Sequence, residues 1–304
     1  CSPPLPPPAA AMGRCAQLVM GPAGSGKSSY CARLAEHMEA LGRSVTVVNL
    51  DPAADKFNYE VGADVRELIS LEDVMEELEL GPNGGLVFCM EYLVDHPEWL
   101  EDLVDGLGED CYVLLDCPGQ IELFSHVPVM RTLVGELHRL DFRVAGVYLL
   151  DAQFMVEPAK YLSGVLSCLS CMAALELPHI NVLTKLDLIA QRSAVERFLD
   201  PPIEDLVAEL AASEADERRA ALTGALGQLI GDYGMVNFLG LDPTEEASVD
   251  VVLMAVDHAI QYHDDVEPRD PGDVEEEDED DAVDGPPGNG GAALGIFGGQ
   301  QLGL

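Results

Sequence analysis

Gly21-Pro22-Ala23-Gly24-Ser25-Gly26-Lys27-Ser28 follows a short apolar run, CAQLVM at 15–20, and precedes a stretch of helical periodicity. Strand, loop and helix in that order, with the spacing GxxxxGK[ST], make a phosphate cradle. Glycines allow consecutive backbone N–H groups to turn inward, and the helix N-terminus adds positive potential. Lys27 can then reach β- and γ-phosphates, and the Ser28 hydroxyl can ligate Mg²⁺, with Ser29 next along the helix as a further contact. The bland alternative is a glycine-rich turn that happens to carry a lysine. The strand–loop–helix order favours the cradle.

Carboxylates stand at other strand ends. Asp116 closes CYVLLD and opens Asp116-Cys117-Pro118-Gly119-Gln120. There an aspartate can hold Mg²⁺ through water, and Gly119 can offer a backbone N–H to the γ-phosphate. Gln120 stands where GTPases often keep a water-positioning glutamine. Asp51 follows SVTVVNL directly and could orient the attacking water or support Mg²⁺; otherwise it only begins an Asp-Pro turn. Glu122 could assist Gln120 with the water. Thr184-Lys185-Leu186-Asp187 ends HINVLT and has the TKxD form of a guanine-recognition motif. The Asp187 carboxylate accepts only, and guanine offers it N1–H and a 2-amino group; adenine offers neither and leaves a desolvated carboxylate unpaired. Lys185 would lay its stem along the base. Alone, TKLD could be a helix cap. Behind a P-loop and DCPGQ it reads as guanine recognition, so GTP and GDP are the expected ligands.

The elements that must position these groups are legible as well. CAQLVM, SVTVVNL, CYVLLD, VAGVYLL and HINVLT are short and nearly continuous in hydrophobicity, as parallel strands buried on both faces are. Segments with apolar residues at three- and four-residue spacing lie between them. This alternation predicts an α/β fold, a P-loop nucleoside triphosphatase with a mostly parallel, doubly wound sheet and ligands at the strand C-terminal ends. Residues 13–263 are expected to form that domain, with a helical insertion at 190–232. Residues 1–12, proline- and alanine-rich, read as a disordered extension, and 264–304 as a disordered acidic and glycine-rich tail.

Composition narrows the class. Of the net charge of −39, the stretch Asp264–Asp284 holds thirteen acids and one arginine, or −12, which leaves −27 for the rest. So acidic a body argues against direct binding to nucleic-acid phosphates. Two of only four lysines, Lys27 and Lys185, fall inside the nucleotide motifs. Most of the eight cysteines lie in apolar runs, which suggests buried, reduced thiols in a cytosolic or nuclear protein. The lone Cys168-Leu-Ser-Cys171 is a weak metal or redox signal. No run approaches the ~20 uninterrupted apolar residues of a spanning helix, so no membrane association is expected.

The order GPAGSGKS, NLDPAAD, GPNGG, DCPGQIELFSHVPVM, TKLDL resembles the GPN-loop GTPases over residues 13 to about 263, and within them the third eukaryotic paralogue. By local chemistry Gly81–Gly85 is a tight turn, with Pro82 fixing one corner and Asn83 and Gly84 tolerating the next. The resemblance implies instead that Gly81-Pro82-Asn83 enters the nucleotide pocket of a partner subunit, where the Asn83 amide would act on phosphate. It also implies a heterodimer with another GPN-loop GTPase, or a homodimer, and a role in assembly and nuclear import of RNA polymerase II. Such a protein would be cytoplasmic and shuttle to the nucleus. Three rivals remain. A deviant-Walker ATPase would carry a lysine where Pro22 stands. A kinase would need a basic lid that 190–232, with Arg192, Arg197, Arg218 and Arg219 among more acids, does not supply. A scaffold could bind GTP without turning it over. The segment from Phe238 to Asp242 is the candidate backing for the base.

Overall fold

The apolar runs become strands because every residue of them can be buried on one sheet face or the other. The computed structural model describes residues 13–262, apart from 109–110, 156, 190–194, 196, 200–201, 214–215 and 235. The expected terminal extension and acidic tail lie outside the described residues. Seven strands occur among the described residues: β1 (Cys15–Met20), β2 (Val45–Asn49), β3 (Val61–Asp64), β4 (Tyr112–Asp116), β5 (Arg143–Asp151), β6 (His179–Thr184) and β7 (Phe238–Gly240). They form one sheet in the order β3-β2-β4-β1-β5-β6-β7, and every pairing is parallel. β3 is a strand the sequence pattern does not announce, being four residues long with Gly62 and Asp64 in it.

Ten α-helices are described: α1 (Lys27–Ala40), α2 (Leu71–Glu77), α3 (Pro82–Asp95), α4 (Glu98–Gly106), α5 (Glu122–Ser125), α6 (Val129–Arg139), α7 (Pro158–Leu175), α8 (Ile203–Ser213), α9 (Glu217–Asp232) and α10 (Glu246–Ala259). They cover both faces. Along β1, Ala16, Leu18 and Met20 join the core beneath α3, α6 and α7, while Cys15 and Val19 join the core beneath α1 and α10. α7 is 18 residues long and apolar enough, by length and composition, to cross a membrane. Here Tyr161, Leu162, Val165, Cys168, Cys171 and Leu175 are buried in the core. The seven described cysteines are buried, and no cluster of three or more His, Cys, Asp or Glu suited to a metal occurs among the described residues.

What the topology positions is one edge. β1 lies between β4 and β5, so the chain departs in opposite directions on its two sides, and a crevice opens beyond its C-terminal end. The register brings Val19, Asn49 and Asp116 level on neighbouring strands, and Asp151 level with Thr184. The chemistry-bearing residues therefore collect where β1 hands over to Gly21.

Candidate nucleotide site

Gly21 carries φ of 139°, Gly24 of 77° and Gly26 of 93°. At Gly21 the requirement is double, because a Cβ there would also lie 2.3 Å from the Leu149 carbonyl oxygen. The loop is braced from within by Ser25 N–H donating to Pro22 O at 3.1 Å. The Lys27 ammonium donates to Gly21 O at 3.1 Å and Pro22 O at 3.2 Å, so it is held inside the loop's curve. Burial lowers the Lys27 pKa, against the raising influence of Asp116.

Asp116 ends β4 and is almost wholly buried. Burial pushes its carboxyl above the usual carboxylate range, and hydrogen bonds from the Ser28 and Tyr59 hydroxyls oppose that shift. Burial likewise raises Asp51, whose carboxylate accepts from the Ala53 N–H at 2.9 Å. Lysine and aspartates are thus all pushed toward neutrality, since desolvation outweighs their mutual attraction. A phosphate and a cation placed among them would supply the missing counter-charges. Gly119 packs tightly on the cradle: a Cβ there would come within 2.8 Å of Ala23 Cα. A cavity of about 420 Å³ results, lined by Lys27, Ser28, Asp51, Asp116, Gly119 and Lys185 among others. That volume lies in the range of small-ligand sites.

On the base side, the Thr184 hydroxyl lies 2.6 Å from Ser25 O and 3.1 Å from Leu150 O, so the end of β6 is tied to the phosphate loop. Lys185 adopts the left-handed region at φ 62°, which turns the chain sharply into the short 3₁₀ segment Leu186–Leu188. Its ammonium pairs with Asp151 at 2.7 Å. Asp187 is exposed and does not line the phosphate cavity. β7 lies alongside: Leu241 N–H donates to Leu183 O at 2.8 Å, and Leu186 N–H donates to Leu241 O at 3.3 Å. The segment from Phe238 to Asp242 therefore flanks TKLD, but the Asp242 carboxylate turns back to Thr244 N–H and Oγ at 2.9 and 2.5 Å.

Two other placements differ from the local reading. Gly81–Gly85 is not a free-standing turn. Gly81 is the N-cap of α3 and Pro82 its first residue, where a missing N–H costs nothing and the fixed φ suits a helix. Asn83, in that first turn, accepts a hydrogen bond from Gln120 Nε2 at 2.8 Å within the same chain. Neither residue lines the cavity, nor does Glu122, which is exposed at the start of α5.

Several residues at the site escaped sequence reasoning. Asn49 fixes the Asp51 backbone through its side-chain amide, donating to Asp51 O at 3.1 Å and accepting from Asp51 N–H at 3.0 Å. Asp64, gripped by Arg66, accepts from Asn49 at 2.8 Å. Asp151 follows VAGVYLL directly, the same strand-end signal that marks Asp116. Tyr59 gives no local signal at all.

A glycine-lined cradle, an aspartate on the neighbouring strand and TKxD two strands away define a P-loop nucleotide-binding protein with a guanine-type base motif. A family profile described as "Conserved hypothetical ATP binding protein" matches residues 19–262. GPN-loop GTPase 3 of Danio rerio is 51% identical over 270 residues, covering 88% of this chain and 94% of the relative. GPN-loop GTPase 3 of Dictyostelium discoideum is 48% identical over 263 residues, covering 86% and 92%. Among solved structures, a GTPase in apo form from Pyrococcus abyssi superposes with a TM-score of 0.66 at 26% identity, covering 82% of this chain and 98% of that one. The chain belongs to the GPN-loop GTPase family.

Proposed function

We propose that this protein binds GTP with Mg²⁺ and hydrolyses it to GDP and phosphate, acting as a switch in a dimer of GPN-loop subunits. The observation that carries the reading is the joining of the two motifs. Thr184 of TKLD bonds the Ser25 carbonyl of the P-loop, so guanine and phosphate contacts are built on one rigid edge. The family profile's description names ATP, but adenine lacks the N1–H and 2-amino donors that Asp187 would accept from, so the base motif favours GTP.

The donor set fits Mg²⁺. Ser28 and Asp116 offer hard oxygens, and Mg²⁺ characteristically takes few protein ligands, leaving the rest to phosphates and water. Bound there, it would neutralise charge on the phosphates. The chain's own residues do the remainder. Lys27 holds the β- and γ-phosphates, loop N–H groups bind phosphate oxygens, and Gly119 N–H faces the γ-phosphate. Asp51 and Gln120 orient the attacking water, assisted by Glu122. Asn83 is assigned to the partner's pocket, and the cellular role in RNA polymerase II assembly and nuclear import follows from the family resemblance. A GTP-binding scaffold is the second reading, favoured by one observation: Gln120 Nε2 is engaged by Asn83 instead of facing the cavity.

Calorimetry tests the base reading. GDP is expected to bind at least about 100-fold more tightly than ADP, and Asp187→Ala should remove most of that preference. Equal affinities would refute guanine selection. Phosphate release in a single turnover of GTP separates the switch from the scaffold.

A further inference from the structure

The connection from β2 to β3, residues 50–60, starts with Asp51 at the phosphate cavity and returns to the metal carboxylate at its far end. The Tyr59 hydroxyl donates to Asp116 Oδ2 at 2.8 Å. Tyr59 is half-buried, its ring packs against the core beneath α1, and it meets the Phe57 ring at 5.4 Å between centroids. Arg66 pins the middle of the connection. Its guanidinium donates to Ala54 O at 2.7 Å and lies 4.8 Å from the Phe57 ring centroid. Arg66 is held in turn by Asp64, and Asp64 by Asn49. Each end of the connection is therefore anchored to a candidate catalytic carboxylate, one covalently and one through a phenol.

We infer that Tyr59 is the positioning residue for the Asp116 carboxylate and couples the connection 50–60 to occupancy of the metal site. The inference rests on the reading that Ser28 and Asp116 hold the metal. Ser28 and Tyr59 are the two hydroxyls that donate to Asp116, and Ser28 is the one a cation would recruit. Tyr59 then remains as the group that fixes the carboxylate's rotation from outside the phosphate loop. Outer-shell hydrogen bonds of this kind orient the ligands they contact. Here the donor is carried on the same short segment as Asp51, so ordering of Asp116 by metal and ordering of the water-facing loop are one event.

Mn²⁺ is the probe, since its free form is counted directly by electron paramagnetic resonance. Full-length wild-type protein loaded with GDP is titrated beside Tyr59→Phe, which keeps the ring and removes only the hydroxyl. Tyr59→Phe is expected to weaken Mn²⁺ about 10-fold or more, while GDP affinity measured in EDTA and the thermal midpoint change little. In hydrogen exchange, Mn²⁺ should slow the amides of residues 51–60 in wild type and do so much less in Tyr59→Phe. Unchanged or tighter Mn²⁺ binding by Tyr59→Phe overturns the inference. If Mn²⁺ fails to bind GDP-loaded wild type, the metal reading of Ser28 and Asp116 fails instead.

Discussion

Lys27→Ala is expected to weaken GTP binding by on the order of 100- to 1,000-fold, the size of effect seen when one preorganised charged or hydrogen-bonding group is removed from a desolvated site. The loss should be larger for GTP than for GDP if, as proposed, the ammonium meets the γ-phosphate that only GTP carries. The side chain already sits at its post, hydrogen-bonded to the carbonyls of Gly21 and Pro22, so little reorganisation separates it from a bound phosphate. Burial has lowered its pKa, which means the folded protein holds the charge at a cost that a phosphate relieves. Lys27→Arg should not rescue binding, since a planar fork does not fit a loop curved around a compact ammonium. Displacement of a labelled GTP analogue measures the effect, and a thermal midpoint taken without nucleotide separates it from misfolding. Binding within about threefold of wild type would remove Lys27 from the phosphate site.

The same residue shows why so much of the site is legible in the sequence. A P-loop is local: eight consecutive residues contain the torsional freedom, the charge and the hydroxyl, and the flanking patterns disclose strand and helix. TKLD and DCPGQ are local too, each closing a strand of unbroken apolar character. The all-parallel sheet follows because continuous hydrophobic strands need cover on both faces, which helix-rich connections provide. What stays hidden is held by contacts distant in sequence. Tyr59 and Asp116 are 57 residues apart, and nothing near Tyr59 distinguishes it from any half-buried aromatic. β3 is too short and polar to show a period, and it exists because β2 offers it an edge. Gly81–Gly85 misleads for another reason. Pro and Gly are turn formers by local chemistry, yet Pro82 serves equally as the first residue of a helix, and packing of α3 against the core through Leu86, Met90 and Leu93 decides between the two.

Asn83 is the second large effect, and the hydrogen bond it makes in its own chain sharpens how it should be measured. Gln120 donates one amide N–H to Asn83 Oδ1 at 2.8 Å, so in this arrangement that N–H is turned away from an attacking water. The bond is exposed and joins two neutral groups, which makes it easy to exchange. If Asn83 acts in the partner's pocket, dimerisation breaks this contact and releases both side chains at once. Two mixed dimers separate the alternatives, each with one nucleotide site disabled by Lys27→Ala. In the first, an Asn83→Ala subunit is paired with a Lys27→Ala subunit, and the only working site receives an intact Asn83 from across the interface. In the second, a wild-type subunit is paired with one carrying both changes, and the working site receives alanine. Action in trans predicts near wild-type turnover per site in the first and a loss on the order of 100-fold in the second. Action within the chain predicts the reverse order, because the first dimer's working site would then lack its own Asn83. Equal rates in both, with the dimers intact by size-exclusion chromatography, would leave Asn83 only its place in the first turn of α3, and its replacement there should cost no more than a few tenths of a kcal/mol.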